Sequence, residues 1–186
     1  MKPNQYRSLL LAMLLLCSGA SCQRANDLTP VLRAADKIVL IEGLPHPLYE
    51  RELLTAELHD KKTQEIHGYP FYQEPLAWKD DDAQRVSDIL GHTALSPMTR
   101  VVDGHKIEST KTCGGFHPDY ALQVHQGTTV FDILICFHCH EVMIVGPGVE
   151  STYDLPAGSA DKLIDILKHY RSQRPKPELG DHRSGY

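Results

Sequence analysis

Two apolar runs separated by a short turn rich in cysteine and histidine constrain the fold more than any other part of the chain. Residues 128–136 alternate between two faces that are both largely apolar, and residues 142–145 are apolar again. Such runs are typical of strands that are covered on both faces. The turn between them reads Cys-Phe-His-Cys-His at residues 136–140. No other stretch of the chain holds as many reactive side chains, so the chemistry is predicted to lie here.

Weaker signals along the rest of the chain predict an α+β fold. Runs rich in β-branched residues predict further strands at residues 37–42, 62–67, 101–107 and 120–125. Helical spacing of apolar residues predicts helices at residues 50–59, after the acidic residues 80–82, and from Ser159 to Tyr170. The proline-rich and aromatic residues 68–78 are predicted to form an ordered loop. Together these signals predict an antiparallel β-meander over residues 101–145 with two or three helices packed on it.

The acidic residues 80–82 have two interpretations. Three consecutive carboxylates are compatible with calcium, but a calcium loop needs more oxygen ligands at set spacings. Val86 and Leu90 lie on one face of the run that follows, which places the acids at the beginning of a helix. There they stabilise the helix dipole, so we predict a helix start at this point.

The first 21 residues predict an export signal. Lys2 and Arg7 give a basic start, and the apolar residues 9–16 are too few to cross a bilayer, which needs about 20. The run Gly-Ala-Ser-Cys ending at Cys22 resembles the bacterial lipobox, although Gly19 stands where a leucine is usual. We predict that Cys22 is lipidated and anchors the protein to a bacterial membrane. An ordinary cleaved signal followed by an unmodified cysteine is the alternative.

Charge limits the partners of the exported part. The formal net charge is −5, and removal of the basic signal makes the remainder more acidic. An acidic chain without a basic cluster argues against nucleic acid and against attraction to anionic lipid head groups. We therefore predict a single domain at residues 36–174 that faces the periplasm or the outer surface. It would be held by a polar tether, residues 22–35, and followed by a polar tail, residues 175–186.

The cysteines of the domain define the candidate site. Once Cys22 carries the lipid, Cys113, Cys136 and Cys139 remain, and an odd number of cysteines cannot all pair within one molecule. Cys113-x3-His117 and Cys136-x2-Cys139 provide two close pairs of ligands that suit tetrahedral zinc. We predict a zinc site with Cys113, His117, Cys136 and Cys139 as ligands.

Three other interpretations of these residues stay open. Cys136, Cys139 and His140 match the attachment motif of c-type haem, with His140 as axial ligand of an electron-transfer protein. The same cysteines superficially resemble a thioredoxin-like redox site, although that site opens a long helix. A non-catalytic interaction module with a structural disulfide or buried thiols is the third. No nucleophile elbow, phosphate loop or His-Glu-x-x-His motif occurs, so the sequence gives no positive case for an enzyme.

Four segments together resemble an uncharacterised family of exported bacterial proteins and lipoproteins. They are Glu-Gly-Leu-Pro-His at residues 42–46, Gly-Tyr-Pro-Phe-Tyr at residues 68–72, Cys-Gly-Gly-Phe-His-Pro-Asp-Tyr at residues 113–120 and Ile-Cys-Phe-His-Cys-His-Glu at residues 135–141. The resemblance covers most of residues 36–175. It implies export, a single domain and one site shared by the two cysteine segments, and it implies no activity.

Overall fold

The computed structural model describes residues 27–102, 105–108 and 115–175. Within these ranges the fold is α+β, as the sequence predicts, with α-helices, a six-stranded antiparallel sheet and two separate two-stranded hairpins. No helix in this part of the chain is both long and apolar enough to cross a membrane. The predicted signal, Cys22, Cys113 and residues 176–186 lie outside the described residues.

The central sheet is built around a continuous antiparallel meander. In sheet order its strands are β1 (Lys37–Glu42), β7 (Tyr120–Gln126), β8 (Thr129–Cys136), β9 (Glu141–Gly146), β10 (Val149–Asp154) and β4 (Ser96–Pro97). Two of the strands outside this sheet, β5 (Thr99–Val102) and β6 (His105–Glu108), pair only with each other in the described residues. The meander therefore runs over residues 120–154, not 101–145. The sequence missed β10 because its Glu-Ser-Thr centre is polar.

The described residues form three helices of ten or eleven residues and one shorter helix. They are α1 (Thr29–Arg33), α2 (Arg51–Asp60), α3 (Asp82–His92) and α4 (Ala157–Leu167), the last followed by a 3-10 turn, Lys168–Tyr170. Asp82 lies in the first turn of α3, as predicted for a helix start, and its carboxylate pairs with Arg85 at 2.6 Å. The predicted cap of α4 was wrong, because the helix begins two residues before Ser159, with Pro156 as its N-cap residue.

The two faces of the sheet are covered by different layers. Ile133 of β8 lies in a core formed with α3 and α4, whereas the neighbouring Leu134 packs on the opposite face. That opposite face is covered by a hairpin of β2 (Thr63–Ile66) and β3 (Tyr69–Tyr72), which contributes Phe71. The predicted burial of both faces of β8 is thereby confirmed. The segment predicted as an aromatic loop begins with strand β3.

The packed part of the chain includes residues that the sequence analysis assigns to the tether. Leu28 and Leu32 are buried in the helical core. The Thr29 hydroxyl donates a hydrogen bond of 2.6 Å to the carbonyl oxygen of Gly91, at the end of α3. These contacts hold α1 against α3.

Candidate functional site

The cysteine and histidine residues form a tight corner between two strands. β8 ends at Cys136, and β9 begins at Glu141, which is its partner across the sheet. Within the turn, the backbone N–H of Cys139 donates to Cys136 Sγ at 3.3 Å. His140 has a φ of +51°, a left-handed conformation that lets the chain reverse direction. The corner is therefore a strand–turn–strand unit and not the start of a helix.

The two cysteines of the corner are in different chemical states. Cys136 is a free thiol and is 1% exposed. Cys139 is 4% exposed and disulfide-bonded, and since Cys136 is free, its partner sulfur lies outside the described residues. A sulfur held in a disulfide is not a thiolate. Cys139 therefore offers no thiolate ligand in this oxidation state.

Backbone N–H groups surround the sulfur of Cys136. The N–H of His117 donates to it, in addition to the N–H of Cys139. Burial raises the pKa of the Cys136 thiol to about 11, and the N–H of His117 acts in the opposite direction. The backbone of His117 is thus held directly against one predicted cysteine ligand. Two of the four predicted site residues, His117 and Cys136, meet in this way.

The ring of His117 has one nitrogen engaged and one free. His117 is 5% exposed, and its ring donates a hydrogen bond to the backbone carbonyl of Pro45. Its Nε2 atom is buried and has no hydrogen-bond partner among the described residues. The donating nitrogen is therefore Nδ1, and Nε2 carries a lone pair in the neutral ring. Burial lowers the pKa of His117 to about 3, so the ring stays neutral over the physiological range.

His46 faces the same region with the opposite tautomer, and the sequence analysis missed it. Its Nδ1 atom accepts the backbone N–H of Leu48 at 3.1 Å and that of Tyr49 at 3.4 Å, so Nε2 carries the proton. This Nε2 is also buried without a partner in the described chain. The ring centroids of His46 and His117 are 4.7 Å apart. The two rings thus lie side by side. The Nε2 of His46 carries a proton, the Nε2 of His117 carries a lone pair, and neither has a hydrogen-bond partner in the described residues.

One side of the histidine pair faces solvent. The Tyr49 ring lies 4.6 Å from the His46 ring and 5.7 Å from the His138 ring, measured between centroids. Leu48, Tyr49 and His138 are exposed. The buried histidine pair therefore lies beside exposed side chains.

A buried group of charges lies behind the histidine pair. The Arg174 guanidinium pairs with the Glu50 carboxylate and, at 3.2 Å, with Asp119 Oδ1. The side chains of Arg174 and Glu50 are only 8% and 7% exposed. Burial alone would raise the pKa of Glu50, but the backbone N–H of His46 and the Arg174 cation outweigh it and lower the pKa. The network connects the turn that carries His46 with the loop that carries Asp119.

Asp119 also fixes the corner itself. Its Oδ2 atom accepts the backbone N–H of Phe137 at 2.8 Å, and its own N–H donates to the carbonyl oxygen of Ile135 at 2.7 Å. Glu42 fixes the segment that follows the 3-10 turn. Its carboxylate accepts backbone N–H groups from Ser172, Gln173 and Arg174. Both carboxylates therefore serve to position other groups.

A second acid–histidine contact lies on the sheet face that carries Leu134. His67 Nε2 and Asp132 Oδ2 are 2.7 Å apart, and Gln123 donates a 2.9 Å hydrogen bond to the other oxygen of Asp132. The two side chains are 34% and 16% exposed. This contact connects the turn between β2 and β3 to strand β8 of the sheet.

The predicted metal ligands are only partly assembled. Among the described residues, no three or more His, Cys, Asp or Glu side chains are grouped so that they hold a metal ion. Cys113 lies outside these residues, and Cys139 is oxidised. His138 is exposed and His140 half-buried at the same corner.

Comparison of the chain with protein-family models, curated proteins and solved structures finds no match. The resemblance to a family of exported bacterial proteins therefore stays a prediction. The arguments for function come from the geometry of the corner.

Proposed function

We propose that this is an exported, lipid-anchored protein that binds a transition metal ion, zinc first among them, at the cysteine and histidine corner. The observation that supports this most is the Nε2 atom of His117. It is buried, it carries a lone pair, and it has no hydrogen-bond partner among the described residues. Buried polar groups are nearly always hydrogen-bonded, and each exception calls for an explanation such as a bound ion.

The other nitrogen of His117 is held as in known metal sites. A histidine that binds a metal usually donates its second N–H to a carboxylate or a backbone carbonyl, which fixes the tautomer and the ring orientation. The carbonyl of Pro45 plays that part here. His117 thus presents a neutral, oriented imidazole, which is the form that binds zinc.

Cys136 supplies the second ligand. Its sulfur accepts two backbone N–H groups, which favour the thiolate, but burial outweighs them and raises the pKa of the thiol to about 11, so the metal itself has to displace the proton. The predicted Cys113 and Cys139 complete a four-ligand set when their sulfurs are thiolates. Zinc bound there would tie the loop of His117 to the turn between β8 and β9, as structural zinc sites do.

Native mass spectrometry of the reduced protein tests the proposal. The protein is purified from a host that exports it and also attaches haem, and is measured before and after denaturation. We expect one zinc-sized increment that disappears on denaturation. A haem-sized increment that survives denaturation would establish the haem interpretation on Cys136, Cys139 and His140 and overturn the zinc proposal. Absence of any increment from folded, zinc-treated protein would overturn it too.

A pair of variants separates the site from general effects on folding. His117→Ala removes the lone pair, so we expect loss of the zinc increment. His67→Ala removes a histidine outside the predicted ligand set that already has its partner in Asp132, so zinc binding should be retained. If both variants bind zinc like the unmodified protein, His117 is not a ligand.

A further inference from the structure

We propose that a groove between α1, α3 and the beginning of β1 binds a small zwitterion, which is a molecule with one ammonium group and one carboxylate or phosphate group. The groove has a volume of about 310 Å³, and its lining residues all lie between Thr29 and His92, in the described part of the chain. This volume lies at the lower end of the range of pockets for small molecules. The inference goes beyond the proposed function, because the groove does not include the cysteine and histidine corner.

The groove and the corner lie at opposite ends of β1. Lys37, the first residue of the strand, lines the groove, and Glu42 is the last residue of the strand. Glu42 pairs with Tyr120, and Tyr120 pairs with Ile135, the residue before Cys136. The length of β1, about 17 Å, therefore separates the two places. Binding in the groove can thus be tested independently of the corner.

Hydrogen bonds between separate elements fix the walls of the groove. The hydroxyl of Thr29 holds α1 against the end of α3. The side-chain amide of Gln126 donates a 2.6 Å hydrogen bond to the carbonyl oxygen of Val31, which connects α1 to β7. The Asp36 carboxylate accepts the backbone N–H of Gly127 at 2.6 Å. The groove is therefore formed by the fold itself, and a ligand does not have to order its walls on binding.

The walls carry two charged side chains of each sign. Arg33 and Lys37 are the cations, and Asp36 and Asp88 are the anions. No two of these four side chains form a direct ion pair with each other. Asp88 uses one carboxylate oxygen to accept the amide of Gln84 at 2.8 Å, and Asp36 uses one for its backbone contact. The second oxygen of each carboxylate is available to a ligand.

The floor of the groove is apolar or already hydrogen-bonded. Leu32 is buried and Ile38 half-buried, and both line the groove. Ser87 is also buried there, and its hydroxyl donates a 2.8 Å hydrogen bond to the carbonyl oxygen of Ala83. The floor therefore suits the aliphatic body of a ligand, whereas the charged groups of the ligand would meet the walls.

The charges of the walls favour a ligand that carries both signs. A simple anion would be attracted by Arg33 but repelled by the acids of the same groove, and a simple cation would meet the reverse. A zwitterion can place its oxyanion at Arg33 and Lys37 and its ammonium at Asp36 and Asp88, so that charged hydrogen bonds form at both ends. Short peptides and the head group of phosphatidylethanolamine both have this chemistry.

Titration of the full-length protein with matched ligands tests the proposal, with amide chemical shifts measured by NMR. The probes are alanyl-alanine, which has both charges, N-acetyl-alanyl-alanine, which has only the carboxylate, and alanyl-alanine amide, which has only the ammonium. We expect alanyl-alanine to shift the amides around the groove and to bind at least about tenfold more tightly than either blocked form, since each of these loses one charged contact.

A second pair of probes distinguishes the two sources of the ligand. Glycerophosphoethanolamine has the ammonium and the phosphate of the head group, and glycerol phosphate has the phosphate alone. Tighter binding of glycerophosphoethanolamine than of alanyl-alanine would identify a lipid head group as the ligand, and the reverse order would identify a peptide. If neither zwitterion binds more tightly than its singly charged analogues, or if no probe shifts the amides around the groove, the proposal is overturned.

Variants at exposed positions locate the binding. Arg33→Gln and Asp88→Asn each remove one charge of the groove, and we expect each to weaken binding of the zwitterion at least about tenfold. Arg51→Gln and Asp161→Asn are the matched controls, because these exposed charges of α2 and α4 do not line the groove. Equal affinity of all four variants would overturn the proposal.

The same variants separate this inference from the proposed function. None of them changes a residue of the corner, so all four should keep the zinc increment in native mass spectrometry. Loss of zwitterion binding with an intact zinc increment would confirm that the groove is a separate site. A protein that binds the zwitterion but no zinc would overturn the proposed function alone.

Discussion

Two regions of the described chain bring acids close to histidines, and they differ in whether the histidine nitrogens have hydrogen-bond partners. On one sheet face, His67 contacts Asp132, and both side chains are partly exposed. At the end of the sheet, His46 and His117 are buried, and each has a nitrogen without a partner in the described residues. The first region is satisfied by the protein alone. The second is not satisfied by the residues that the structure describes.

The acids of the two regions differ in the same way. Asp132 contacts its histidine directly, so its role ends at that contact. Glu50 and Asp119 contact Arg174 and the backbone around the site instead of the rings of His46 or His117. Carboxylates that hold the surroundings leave the imidazole nitrogens available. The proposed zinc site would use such available nitrogens.

The largest difference is expected when one acid of each region is removed. Glu50→Ala leaves the Arg174 cation buried with only part of its pairing, which should lower the free energy of unfolding by about 3–5 kcal/mol. Asp132→Ala breaks a partly exposed contact and should cost about 0–1 kcal/mol. Urea unfolding at pH 7 measures both values. Equal losses for the two variants would show that the Glu50–Arg174 pair is not a special feature of the site.

The Glu50 contribution should also depend on pH. Its folded-state pKa is lowered from an ordinary 4.5, so its stabilising effect is complete above that pH and is lost as the pH falls through the lower folded-state pKa. We expect the stability difference between the unmodified protein and Glu50→Gln to shrink below about pH 4.5.

Urea unfolding at a series of pH values between 3 and 7 checks this expectation. The comparison with the variant is needed because burial raises the pKa values of Glu42 and Asp119, which favours the folded state as the pH falls. A difference that stays constant down to pH 3 would contradict the lowered pKa of Glu50.

The smallest expected effects come from two histidines in left-handed backbone. His67 has a φ of +50° and His140 a φ of +51°. Replacing His140 by glycine relieves the backbone strain but also removes the interactions of its side chain and loosens the unfolded chain, so the net change should stay within about 1 kcal/mol. His67→Gly relieves similar strain but loses the contact with Asp132, so the net change should be close to zero. Thermal unfolding of both variants measures this.

The same His140 variant bears on the cofactor. In the zinc proposal His140 is not a ligand, so His140→Gly should retain the zinc increment in native mass spectrometry. In the haem interpretation it would lose the axial ligand. Retained covalent haem with an altered absorption spectrum would therefore contradict the zinc proposal.

The strands that the sequence predicted best are those with apolar side chains on both faces. β1, β7, β8 and β9 were found because Val, Ile and Leu recur along them with period two or without interruption. β10 was missed because polar residues fill its centre, and it is recruited by the hairpin with β9. Tertiary pairing outweighs local propensity there.

The sequence predicted only those residues of the candidate site that lie close to a cysteine in the chain. Cys136 and Cys139 stand out by their spacing, and His117 by its distance from Cys113. His46 did not stand out, since a histidine between two prolines is compatible with an ordinary turn. Its burial depends on residues more than 70 positions away in the chain, such as His117. The signal that would have helped is the Glu-Gly-Leu-Pro-His segment that contributes to the family resemblance.

If the protein is exported as proposed, the late position of Arg174 in the sequence affects the order of folding events. Its partner Glu50 lies 124 residues earlier, and Asp119 lies 55 residues earlier. A chain that crosses a membrane from its first residue onward presents Glu50, Asp119 and the cysteines to the far side before Arg174 arrives. During that interval the thiols meet oxidants while the loops around them are not yet locked. In that case the disulfide at Cys139 would form most readily before Arg174 pairs with Glu50 and Asp119.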